Sequence, residues 1–173
     1  IILGLCTHLP IMLSDIPNHD GLASIYFDQN MVVSGRWFLS VACGFSSYYS
    51  LPWLIGLLSI GILAVTAVSL VEVLEIEKVS GGVMIAGILV TFPVLTSTFA
   101  YVFTMDGYML AVSLAVLAVY MVPKGKAGFV WGGIALAFSM GIYQAYLPIA
   151  ILLCVYKVVV ILLSDNERKT KVK

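Results

Sequence analysis

Residues 51–71 read LPWLIGLLSIGILAVTAVSLV, 21 positions without a charge. At ~1.5 Å of rise per residue a helix of that length spans about 30 Å, the thickness of a bilayer's hydrocarbon core, so this run is a membrane-crossing helix. It stops where charge begins, at Glu72, Glu75, Glu77 and Lys78. The rest of the chain has the same character. Of 173 residues 61% are apolar and 10% charged, against about 25% charged in a soluble domain. The expected fold class is all-α integral membrane, a polytopic helical bundle.

Working toward the C-terminus, a turn at Ser80-Gly81-Gly82 leads into a second crossing, residues 81–104, with Pro93 in its middle. Proline removes one backbone bond and crowds the carbonyl four residues back, which predicts a kink near Leu89. Met105-Asp106-Gly107-Tyr108 reads as a tight turn, and residues 108–122 return across the membrane. Residues 129–163 carry no charge except Lys157; as one helix they would be ~52 Å long, so the run must break. Tyr143-Gln144-Ala145-Tyr146-Leu147-Pro148 is the place, giving spans 129–143 and 146–163 and a polar tail, 164–173. Gly133, Ala137 and Gly141, with Gly128 and Gly132, form a small-residue stripe suited to close helix approach.

Toward the N-terminus, residues 38–50 mix apolar and small polar side chains and end in Tyr48 and Tyr49, with Trp53 close by, as expected of an interfacial helix at headgroup level. Residues 1–13 are a partial span. The chain opens on Ile1 and is expected to be the N-terminal fragment of a longer protein, its first span cut short; a cleavable signal peptide is the alternative, and no small-residue cleavage site follows Leu13. His8 in this span reads as a buried, hydrogen-bonded helix residue, a proton relay being the other option. The chain is thus one transmembrane domain, 1–173, of about six spans with the first truncated and a first outer loop, 14–50, holding short interfacial helices.

Numbering the loops alternately gives an orientation. Of nine Lys and Arg residues, all but Arg36 fall on one side or can snorkel toward it, as Lys157 can. The positive-inside rule makes that side cytoplasmic. Asp15, Asp20, Asp28, Asp106 and Gln144 then gather at the outer face. The formal net charge of zero argues against a nucleic-acid partner, since phosphate backbones need a basic surface. Cys6, Cys43 and Cys154 are odd in number and imply no disulfide framework.

The stretch Ser14–Trp37, SDIPNHDGLASIYFDQNMVVSGRW, concentrates the polar ionisable groups. Acids there are solvated loop charges, cation ligands or a general base. Asp28 fits the solvated reading. Asp20 and Asp15 sit where an apolar span ends, and partial desolvation would raise a carboxyl's pKa toward the range useful for taking a proton. His19 is a surface imidazole or a hydrogen-bond donor to phosphate. Arg36 follows Gly35, which permits close backbone approach, and its guanidinium suits bidentate phosphate binding or headgroup anchoring. Asp106 is either a turn former or a second acid in the same pocket.

Four segments in order, THLPIMLSDIPNHDGL, SGRWFL, STFAYVFTMDGYMLAVSLAVLAVY and GIYQAYLPIA, resemble the bacterial membrane glucosyltransferase family named for the type II O-antigen glucosyltransferases. That family is similar to the GT-C superfamily, multi-span enzymes that transfer a sugar from a polyprenyl-phosphate carrier. The resemblance implies a bacterial inner-membrane enzyme moving a hexose, glucose by the family name, from a polyprenyl-phosphate donor to a cell-surface glycan or glycolipid acceptor on the extracytoplasmic face. It places the catalytic base in the first outer loop, at Asp20 with Asp15 in reserve. Around it, His19, Arg36, Trp37, Asp106, Tyr108, Tyr143 and Gln144 are the candidate substrate-binding residues. Membrane lipid is a further partner. No cofactor is expected; a divalent metal held by two carboxylates is the disfavoured alternative. Family members are longer than this chain, so part of the site is expected to lie outside it. The rival reading is a transporter or flippase-like protein, which should carry broken helices or ionisable groups near the midplane and often internal repeats.

Overall fold

The computed structural model describes residues 1–14, 20, 31–49 and 51–171, with side chains as far as 164. Its elements are helical. In chain order they are α1 (Ile2–Leu13), a 3-10 turn (Val32–Ser34), α2 (Leu39–Ala42), α3 (Pro52–Val73), α4 (Val79–Thr91), α5 (Pro93–Thr98), α6 (Met105–Met121), a 3-10 turn (Val122–Lys124), α7 (Gly125–Ile142), a 3-10 turn (Gln144–Tyr146) and α8 (Leu147–Lys171). Three runs are long and apolar enough to cross a membrane: Pro52–Val73, Met105–Ile142 and Gln144–Ser164.

Met105–Ile142 is a hairpin, α6 folding back into α7 where Gly125 takes a φ of 84°. A Cβ on Gly128 would land on the carbonyl of Met121, and one on Gly132 on that of Ala118, while Ser139 Oγ donates to the Ala111 carbonyl at 2.7 Å. These partners rise along one helix as they fall along the other, the register of an antiparallel pair. Lipid is as apolar as leucine, so helices in it associate by close contact rather than by hydrophobic exclusion, and small residues at the seam make that contact possible. The seam glycines are Gly128 and Gly132, whereas a Cβ on Gly133 would meet nothing within 4 Å and Gly141 packs under the Trp37 ring. The expected stripe is therefore shifted by one residue at Gly133.

Helix α6 is the centre of the bundle, with Met105, Met109, Ala111, Val112, Ala115, Val116, Ala118 and Val119 all buried. Leu63 and Ile55 of α3 join the same core, and Val73 packs with Val119 and Ala150 nearer the other end. Helix α1 lies against α3, Gly4 beside Ile60 and Met12 beside Gly56.

The second crossing departs from expectation. Helix α4 stops at Thr91, Phe92 is extended (φ −60°, ψ 128°), and α5 restarts at Pro93 and ends at Thr98. A residue before proline is pushed out of the α region by the proline ring, so the result is a break at Phe92 rather than a kink near Leu89. The 13 residues of α4 make only ~20 Å of helix, too short to cross alone. The carbonyls that a broken helix frees are costly in lipid. One is answered: His8 Nε2–H donates to the Val90 carbonyl at 2.8 Å. The imidazole also stacks on Phe99, centroids 3.6 Å apart.

Two further expectations are corrected. Residues 105–108 form the first turn of α6 instead of a tight turn. Helix is limited to Leu39–Ala42 in the interfacial segment, followed by turns. The polar tail, for which no conformation is expected from sequence, continues α8 as far as Lys171, since it holds no Gly or Pro to stop a helix.

Candidate active site

One end of the bundle is assembled by a short zip between two breaks in regular structure. Met31–Arg36 closes on itself: Ser34 N and Arg36 N both donate to the Met31 carbonyl, at 3.0 and 3.1 Å, and Gly35 N to that of Val32 at 2.9 Å. The closure needs Gly35 at φ 79°, a left-handed conformation that costs a residue with a side chain. Opposite it, α7 ends in Tyr143, which is extended (φ −159°, ψ 116°). The two segments meet antiparallel and in step. Phe38 N donates to the Gly141 carbonyl at 2.8 Å, the Arg36 guanidinium carbon lies 4.3 Å from the centre of the Tyr143 ring, and Gln144 Nε2 donates to the Ser34 carbonyl at 3.1 Å.

Tyr143 belongs to an aromatic cluster. It stacks on Tyr108 at 5.2 Å, and Tyr146 stands edge-on to both, 5.6 Å from Tyr143 and 6.3 Å from Tyr108. A cation over such a ring is attracted by its quadrupole. Arg36 Nε is buried and has no hydrogen-bond partner among the described residues. An arginine held this way presents donors in a fixed fork, the geometry that matches phosphate or carboxylate.

These residues border a cavity of about 950 Å³. Its charged lining residues are Asp20 and Arg36, and the tyrosines are Tyr101, Tyr108, Tyr143 and Tyr146. From there it follows one face of α6, Tyr108, Val112 and Val116, over ~12 Å. Its other walls are Leu70 and Leu74 at the far end of α3 and the broken segment from Ile85 to Thr98. The cavity thus joins a short ionic and aromatic region to a long hydrocarbon one.

Of the residues singled out by sequence, Asp20, Arg36, Tyr108 and Tyr143 share this cavity; Asp20 is solvent-exposed. Asp15, His19 and Asp28 lie outside the described residues. Trp37 packs on Gly141 and, at 5.3 Å, on Phe138, and Gln144 bonds to Ser34, so neither lines the cavity. Asp106 does not line it either. Only 8% exposed, its Oδ1 accepts from Ser46 Oγ at 2.6 Å and from Gly107 N at 2.9 Å, tying the 38–49 segment to the start of α6. Cys43 is buried beside it; burial first, then the Asp106 carboxylate, pushes the thiol well up from its ordinary range, so it stays protonated and donates to the Thr104 carbonyl at 3.7 Å. Tyr146, an aromatic suited by its place in the sequence to stack on sugar or cover a prenyl chain, lines the cavity as well, whereas sequence reasoning passed over Tyr101, Ser97 and Thr98 as site residues. The signal for Ser97 and Thr98 was Pro93, since the break it forces is what bares the α5 segment to the cavity. Among the described residues no three His, Cys, Asp or Glu side chains gather as a metal site.

Residues 9–173 match a family model described as Glucosyl transferase GtrII. The chain belongs to the GtrII glucosyl transferase family. No curated protein and no solved structure gives a significant match. GtrII membership makes the chain a glycosyltransferase with a sugar donor and an acceptor, and its apolar helices make it a membrane protein.

Proposed function

We propose that this GtrII chain carries the donor site of an enzyme that moves glucose from a polyprenyl-phosphate carrier to a cell-surface glycan or glycolipid, at the extracytoplasmic face of the bacterial inner membrane. The observation that carries the reading is the two-part cavity. A polyprenyl-phosphate sugar has an anionic, hydroxyl-rich head on a long hydrocarbon tail, and the cavity offers Asp20, Arg36 and the tyrosines at one end and Leu70, Leu74, Ile88, Leu89, Val112 and Val116 along its length. The tail stays among apolar side chains while the phosphate reaches a guanidinium.

The reaction is displacement at the anomeric carbon. The Asp20 carboxylate accepts the proton of the acceptor hydroxyl as that oxygen bonds to the sugar, and the lipid phosphate departs with the bond electrons. Arg36 stabilises the charge growing on the leaving phosphate, its guanidinium already held in place where that charge develops. Asp15 is the alternative base, His19 a further hydrogen-bond donor to the phosphate, and the stacked Tyr108 and Tyr143 wall the space for the sugar. Because phosphate leaves readily, one carboxylate suffices where a glycosidase needs two, and the chemistry needs no metal.

The break at Phe92 lines the cavity and favours a transporter as the second reading, since broken helices build transport sites. Replacing Asp20 by Asn separates the two. Transfer from polyprenyl-phosphate glucose in membranes is expected to fall by about 10²–10⁴-fold, the usual contribution of a general base, with donor binding retained. Unchanged transfer by the Asp20→Asn enzyme would remove the proposed base.

A further inference from the structure

We infer that Gln144 is a positioning residue for the anion-binding arginine, acting through the backbone of residues 34–36 and touching no substrate. The inference rests on the donor-site reading above and goes beyond it, because it gives Gln144 a role distinct from sugar binding and explains why Arg36 is held where it is.

The Met31 carbonyl accepts three bonds, from Ser34 N, Arg36 N and Ser34 Oγ. That closes the turn but leaves the Ser34 carbonyl pointing out of it, and the Gln144 amide answers that carbonyl at 3.1 Å. The same Nε2 occupies the space where a Cβ on Gly35 would sit. The turn is therefore fitted to Gln144 in two ways, by hydrogen bond and by shape. On the other side of Arg36, Phe38 N is bonded to the Gly141 carbonyl at 2.8 Å and Trp37 covers Gly141. Arg36 is suspended between two attachment points, and both belong to the stretch that carries Tyr143. One attachment alone leaves the turn free to rotate about the other; two fix the guanidinium over the ring. An arginine pre-organised in this way loses less conformational entropy when an anion arrives, and that saving appears as affinity.

The test is a double-mutant cycle on Kd for a polyprenyl monophosphate in detergent micelles, with wild type, Arg36→Ala, Gln144→Leu and the double variant of the whole chain. Arg36→Ala is expected to weaken binding about 30-fold, in the range for a hydrogen bond to a charged group. Gln144→Leu is expected to weaken it about tenfold, and the double variant no more than Arg36→Ala alone, because residues acting as one unit are not additive. Gln144→Glu keeps the size but turns an acceptor toward the Ser34 carbonyl, and is expected to weaken binding as much as Gln144→Leu does. Losses that multiply to about 300-fold in the double variant would show that Gln144 acts independently of Arg36 and overturn the inference while leaving the donor site standing. An Arg36→Ala protein that binds as tightly as wild type would overturn both.

Discussion

At one end of the helix bundle the Lys124 ammonium lies 3.6 Å from the centre of the Tyr120 ring; at the other, the Arg36 guanidinium carbon lies 4.3 Å from that of Tyr143. The pairs look alike and differ in everything around them. Lys124 is exposed, on a turn that follows α6, and Lys126, two residues on, is exposed as well. Arg36 has a buried Nε without a hydrogen-bond partner among the described residues, sits in a turn attached on both sides, and opens on a cavity with a long apolar arm. A compact, strongly hydrated ammonium on a flexible stem gains little from an exposed ring, whereas a planar fork held over a half-buried one is a prepared anion site. Sequence composition alone makes these residues equivalent; the difference lies in what the backbone does next to them.

The sharpest way to break this comparison is to remove each cation. Arg36→Ala is expected to lower kcat/KM for polyprenyl-phosphate glucose by about 10–100-fold, the loss of a charge-assisted bond worth ~1.5–3 kcal/mol, and Arg36→Lys to recover only part, because an ammonium cannot make the bidentate contact. Lys124→Ala is expected to stay within about twofold of wild type. Equal losses at both positions would show that the two ends are not functionally distinct.

The next contrast separates packing from exposure on neighbouring residues. Gly132→Leu drives a side chain into the Ala118 carbonyl, and Gly133→Leu points one into open space. Overpacking at a well-fitted seam costs ~1–3 kcal/mol, so the first variant should melt markedly lower in detergent and the second close to wild type. His8→Leu leaves the Val90 carbonyl of the broken α4 without its donor and is expected to cost ~1–3 kcal/mol of stability. Its loss should also blunt donor binding, since the α4–α5 break walls the cavity.

How much of this was legible beforehand depended on distance along the chain. The break after Ile142 follows from length alone, because an unbroken helix through 129–163 overshoots any bilayer, and Arg36 stands out as a cation beside a glycine on the acidic side. Features set by remote partners were hidden. Pro93 announces a disturbance, but the donor that answers the Val90 carbonyl it frees comes from His8, 82 positions from Val90, and is invisible in the local sequence. Asp106-Gly107 reads as a turn until Ser46, 60 positions away, is seen holding the carboxylate at the start of a helix. Spacing by fours identifies two interleaved rows of glycine on α7 and cannot say that Gly132 rather than Gly133 meets α6. Local chemistry proposes; the long-range contacts decide which proposal the chain adopts.

The smallest expected effect tests the quiet end directly. Lys157 Nζ meets Glu75 Oε1 at 2.7 Å, with side chains 23% and 67% exposed. A pair so open to solvent is screened and contributes ~0–1 kcal/mol, so Lys157→Met should shift the melting temperature in detergent little and leave transfer within about twofold. The result bears on mechanism as well as stability. A protein that carried its substrate through the bundle would need the far end to open and close, and a charge pair bridging α8 to the end of α3 would then tune turnover. An enzyme that works at one end would not notice its removal. A severalfold change in transfer by Lys157→Met, with the fold intact, would therefore count for the transport reading and against a site confined to Asp20, Arg36 and the tyrosines.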